Sequence, residues 1–244
     1  MKSTFNIYSV VVFVLLLFVS CERDNWHHIH GSGPVLTEER DVHPFYDVNI
    51  SIPARIYFYQ SAFPELTIKA QANILDAIET RIRRGELEIG LYNGAGLGKH
   101  ETIEIYISSA TYRNIRFSGS VDGWAETPLN VPEMNIFISG SGTFSGEVYA
   151  HYLSSSISGS GKLWLDGEVA DQFHTISGSG DIYAFDLESE TADIRISGSG
   201  KVEISVDDFL YADMSGSGTI YYRGYPDVES HISGSGKIIH INNK

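Results

Sequence analysis

The chain has 244 residues, 42% hydrophobic and 20% charged, so it can bury a core and does not have the composition of a disordered polymer. Its formal charge of −14 excludes nucleic-acid binding by phosphate neutralisation, because no basic patch is available to release counterions. With 14 Tyr, 12 Phe, 24 Gly and only 7 Pro, the composition favours strands and tight turns over helices.

The N-terminus reads as an export signal. Lys2 is followed by the apolar run Val10–Val19, which has signal-peptide length and is too short to span a bilayer comfortably. The run ends in Phe18-Val19-Ser20-Cys21, which resembles a bacterial lipobox. Residues 1–20 are therefore expected to be a lipoprotein-type signal peptide, and Cys21, the single cysteine, the lipidated N-terminus of the mature chain. Membrane attachment through that lipid places the protein in the cell envelope, as an outer-membrane lipoprotein facing the periplasm or the cell surface. Residues 21–33 read as a polar tether. His27, His28 and His30 cluster in it, but no carboxylate or thiol completes a ligand shell, so no metal site is expected.

Residues 34–117 read as β-structure with irregular connections. Asp47–Tyr59, Glu65–Ala70, Thr80–Arg84, Glu86–Gly90 and Thr102–Ile107 alternate apolar and polar side chains with period two, with Gly85 between the third and fourth. Asn73–Glu79 could form a single helical turn.

From residue 118 to 244 a repeat takes over. The tripeptide Ser-Gly-Ser begins at Ser118, Ser139, Ser158, Ser177, Ser197, Ser215 and Ser233, in steps of 21, 19, 19, 20, 18 and 18. A period near 20 residues is the signature of a solenoid. The residue before the motif is always large and apolar: Phe117, Ile138, Ile157, Ile176, Ile196, Met214 or Ile232. So is the second residue after the tetrapeptide: Phe144, Leu163, Ile182, Val202, Ile220 or Ile238. Two inward columns separated only by Ser and Gly define a tight corner stacked at the strand spacing of about 4.8 Å. The predicted fold is thus all-β: a parallel β-helix, or β-solenoid, with rungs of 18–21 residues and SGSG corners, preceded by a less regular β part. Phe117–Gly123 (FSGSVDG) lacks the last Gly of the motif, and its corner is expected to be irregular. The strand Lys237–Ile241 would be an open edge, and self-association through it is expected if nothing covers it.

Two surface features could carry function. Glu147, Asp166, Glu168, Asp186, Glu188, Asp207, Asp208 and Asp227 recur after the first strand of each rung and would form an acidic stripe. Neither the dense Gly/Asp repeats of calcium solenoids nor the clustered bases of a uronate lyase accompany them, so the stripe reads as solvated turns. Trp164, Tyr183 and Tyr221 each lie one residue after an inward column and so point outward, as candidate ligand-binding aromatics. No Ser, His and Asp can be nominated as a catalytic set, and neither a catalytic residue nor a cofactor is expected.

His30–Gln60, Asn73–Gly90 and the ISGSG ladder from Ile138 onward together resemble the putative auto-transporter adhesin "head GIN domain" proteins of Bacteroidetes. That resemblance implies a β-helical exported lipoprotein with an adhesin role and brings no catalytic residues. It implies a domain over residues 34–244 that binds a glycan or protein surface. The alternatives are a structural or stress-response envelope module, and a polysaccharide-acting enzyme.

Overall fold

The computed structural model describes residues 28–92 and 95–242. Cys21, His27 and the apolar run lie outside the described residues. Among the described residues, no helix is long and apolar enough to cross a membrane.

Two long parallel sheets, continuous through the strands that bend from one to the other, line one core. Each contains nine parallel strands, one from every coil. One sheet holds the strands that enter the corner, from Glu86–Leu91 at one end to Asp227–Gly234 at the other. The second holds those that leave it, from Glu104–Ser109 to Lys237–His240. Eight spacings make each sheet about 40 Å long. The chain is thus a β-solenoid, as its repeat predicts.

The corners explain the repeat. Ser118, Ser139, Ser158, Ser177, Ser197, Ser215 and Ser233 fall in one register column, each followed by its Gly. Gly159 has φ +122° and Gly178 φ +129°, a region that L side chains rarely occupy. A Cβ on Gly159 would also lie 2.6 Å from the Gly140 carbonyl oxygen one coil below. The second Gly answers to a different neighbour: a Cβ on Gly161 would meet Ile138 Cγ2 at 2.6 Å. The Ile column and the second Gly column therefore interlock.

The serines play a smaller part than their recurrence suggests. Ser158, Ser160, Ser177 and Ser179 are solvent-exposed or nearly so. Main-chain bonds tie the stack together instead: Ser160 N–H donates to Gly140 O (2.9 Å), Ser179 N–H to Gly159 O (2.9 Å) and Lys162 N–H to Gly142 O (3.0 Å). The corner at Phe117–Gly123 keeps this register. Ser118 and Gly119 pair with Ser139 and Gly140, and buried Val121 takes the missing glycine's place. Gly119 has φ +94°, against +120° to +131° at the later corners, and that is the extent of its irregularity.

The stack continues into the segment before Ser118, where no SGSG marks it. Asp47–Ile50 pairs with Asn114–Gly119, and Arg55–Gln60 with Asp122–Ala125, so Ser51-Ile52-Pro53-Ala54 forms a corner of the same length. The order is not sequential. The strands Glu86–Leu91 and Glu104–Ser109 lie on the far side of the 47–60 coil and form the first coil of the stack. Beyond them, Glu65–Gln71 and Ile78–Arg83 pair antiparallel and close this end, with Val35–Glu39 added outside. Among the described residues, the α-helix is the single turn Ala72–Leu75. Part of the expected tether is docked here: Gly31 N–H bonds to Lys99 O (2.9 Å), and Ser32 N–H to Asn73 Oδ1 (2.7 Å).

Among the described residues, none covers the other end. Val228 and Ile232 are 42% and 44% exposed, whereas Leu210 and Met214, their partners one coil inside, are fully buried.

Candidate functional site

Strand alternation carries every second side chain of the second sheet outward, and parallel pairing stacks equivalent positions coil upon coil. One outward column reads Tyr106, Tyr57, Trp124, Ser145, Trp164, Tyr183, Glu203, Tyr221, Ile239. Tyr57 and Tyr106 stack with ring centroids 4.9 Å apart, Tyr57 and Trp124 at 5.6 Å, and Trp164 and Tyr183 at 5.3 Å with only 10° between their planes. Lys201 Nζ sits 4.2 Å from the Tyr183 ring centre and 2.9 Å from Glu203. The column is flanked by one of mixed charge, Arg55, Asp122, Thr143, Lys162, Asp181 and Lys201.

Of the three aromatics read from the sequence, the structure brings Trp164 and Tyr183 into direct contact. It leaves Tyr221 separate, because Glu203 stands between it and Tyr183. Tyr57, Tyr106 and Trp124 were missed as members. Trp124 lies six residues after the Ser of its corner, as Trp164 and Tyr183 do, so counting from the corner finds it. Tyr57 and Tyr106 follow no such corner.

The acidic stripe is real as geometry. Glu147, Asp166 and Asp186 are in register, as are Glu168 and Glu188. Partial burial raises the Asp166 carboxyl above its ordinary range, and Asp186 and Glu147 push it in the same direction. A groove of about 400 Å³ beside the stripe is lined by Tyr149, His151, Glu168, Glu188, Glu190 and Asp207. Among the described residues, no three His, Cys, Asp or Glu side chains gather as a metal-ligand set. On the first sheet, Tyr152, Phe173, Phe209 and Tyr211 with Arg195 line a second, shallow groove of about 550 Å³.

The nearest approach to a nucleophile–base pair is inside the core. His174 Nδ1 accepts from the Ser155 hydroxyl (2.7 Å) and Nε2–H donates to Gln172 Oε1 (2.8 Å). Gln172 Nε2 donates to Ser189 Oγ (2.6 Å) and to the Ser205 carbonyl (3.1 Å). Every polar group has its partner, and Ser155, Gln172 and His174 are all buried from solvent. The arrangement is a satisfied core network, out of a substrate's reach.

Fold and surface together define a class: a parallel β-solenoid that presents long regular faces. The chain belongs to the family described as putative auto-transporter adhesin, head GIN domain, whose profile matches residues 44–226. Among solved structures it is similar to a putative adhesin from Bacteroides fragilis, at 23% identity over 87% of this chain and 100% of that one, with a TM-score of 0.82. It is also similar to a putative lipid binding protein from Parabacteroides distasonis, at 26% identity over 88% and 99%, TM-score 0.73. A putative adhesin from Parabacteroides merdae matches at 22% identity over 88% and 99%, TM-score 0.68. No curated protein matches the chain.

Proposed function

We propose that the protein is a lipid-anchored, non-enzymatic binding module of the cell envelope, whose aromatic column adheres to saccharide on a surface. The observation that carries this reading is the outward ladder itself. Tyr106, Tyr57 and Trp124, then, past Ser145, Trp164 and Tyr183 share one outward line, beside alternating charges that can hydrogen-bond sugar hydroxyls. Family membership and the lipobox-like Phe18–Cys21 support attachment and display outside the cytoplasm. In cells that export it, the protein should hold beads coated with neutral glucan or mannan. Trp164→Ala with Tyr183→Ala should lower bead capture about tenfold at unchanged protein level. Cys21→Ala should abolish capture by releasing the domain from the membrane fraction. Capture indifferent to both variants would overturn the reading.

A lipid-binding reading has one support, the similarity to the Parabacteroides distasonis protein. The openness of the grooves beside the acidic stripe and on the first sheet favours the saccharide surface over an enclosed acyl-chain cavity.

The open coil adds a second copy of this chain as partner. Antiparallel pairing of Asp227–Gly234 with its symmetry mate about Ser230 places Val228 opposite Ile232 and Glu229 opposite His231. It would bury the two apolar side chains that the last coil leaves exposed. Sedimentation should show a dimer that Ile232→Lys converts to monomer. A wild-type monomer at the highest soluble concentration would rule this pairing out.

A further inference from the structure

The aromatic ladder is interrupted between its two indoles, and the interruption is itself a site. Trp124 pairs with Ser145, and Ser145 pairs with Trp164, so the indoles occupy the same outward position on either side of a small residue. Each indole has one face already covered: Tyr57 stacks on Trp124 (22° between planes), and Tyr183 stacks on Trp164 (10°). These partners lie on the far sides, away from Ser145. The two uncovered faces therefore look at each other across Ser145.

Two strand spacings separate them, about 9.6 Å. A flat ring between two faces needs two carbon–carbon contacts of ~3.5–4.0 Å, roughly 7–8 Å in all. A puckered ring is thicker and takes up the remainder. Half-buried Ser145 forms the floor and offers a hydroxyl. On one rim lie Thr143, which donates to Asp122 Oδ1 (2.6 Å), and Lys162, whose Nζ is 3.4 Å from Asp181. On the other lies Glu147, which accepts from the Tyr149 hydroxyl (2.6 Å). Two apolar walls with hydroxyl, carboxylate and ammonium groups at the edges match a sugar ring, whose faces present C–H groups and whose perimeter presents hydroxyls. The carboxylates on both rims disfavour a uronate or sulfated sugar.

We infer that the gap over Ser145 is a saccharide subsite that holds one neutral pyranose ring between the indoles of Trp124 and Trp164. The inference rests on the reading of this sheet face as the adhesive surface, and it adds the point on that face where a ring is gripped from both sides.

The chain has three tryptophans, two of which form the walls, so indole fluorescence reports on the gap. The exported chain would be titrated with cellohexaose, laminarihexaose and mannohexaose. At least one should change the emission saturably. Ser145→Tyr should fill the gap and complete the stack with both indoles kept. It should weaken that binding about tenfold or more while the melting temperature stays level or rises. Trp164→Ala should weaken it as well. If Ser145→Tyr binds like the wild type while Trp164→Ala does not, the subsite is overturned and the adhesive face survives. If no oligosaccharide binds at millimolar concentration, both fall. Emission changes produced by phosphatidylcholine vesicles alone would likewise overturn the sugar subsite, in favour of a lipid surface.

Discussion

Gly159→Ala is expected to destabilise the protein by about 3 kcal/mol or more, measured as the loss in urea unfolding free energy. Two costs add at this position. The backbone is held at φ +122°, where an L residue is strained by about 1–3 kcal/mol. The new methyl carbon must also find room 2.6 Å from the carbonyl oxygen of Gly140. That oxygen accepts the Ser160 N–H bond, so moving it away loosens the ladder between two coils. Ser158→Ala, one residue earlier on the exposed side of the same corner, should cost less than about 0.5 kcal/mol. Equal effects at the two positions would show that the corner does not depend on close main-chain stacking.

The second large effect is one of pH. Complete burial lowers the His174 pKa from 6.5 to about 4, so the folded state keeps the ring neutral while the unfolded chain protonates it. The stability contributed by neutral His174 is fully present above pH 6.5. It is lost as pH falls from 6.5 towards 4, and the loss levels off below that. The shift corresponds to about 3 kcal/mol. Surface carboxylates titrate in the same window, so the test is a difference. Against a variant with Ser155→Ala, Gln172→Leu and His174→Leu, which removes the titrating ring and its partners together, the wild type should lose about that amount more between pH 7 and pH 4. A pH-independent difference would mean that folding does not keep the proton off His174, because the core opens to accept it.

Much of the architecture was legible because a solenoid repeats its local problem. Each SGSG sits between two inward residues, and both the positive φ and the crowding of adjacent coils act within a few residues of the motif. Trp164 and Tyr183 could be aligned for the same reason, since both are counted from a corner. Trp124 could have been aligned the same way, and with it the gap at Ser145. Tyr57 and Tyr106 could not, because the coils that carry them turn through Ser51-Ile52-Pro53-Ala54 and through the long connection between Ile89 and Glu104. The Ser155–His174–Gln172 network was equally hidden. Nothing in one strand shows that a histidine at an inward position will meet a serine from the coil below and a glutamine two residues away.

The amino-acid sequence by itself determined the coil: its period, its inward Ile columns, the glycine at each bend and the outward direction of the aromatics, all set by sterics between near neighbours and by the two-residue alternation of a strand. Only the tertiary structure decided the order of the coils and what lies between them. The 47–60 coil is inserted between strands that come later in the chain, antiparallel strands close one end, and no described residue covers the other. These follow from pairings between residues far apart in sequence, whose relative energies depend on which edge is already covered. The face-to-face placement of Trp124 and Trp164 belongs to the same level, since it exists only once three coils are stacked in register.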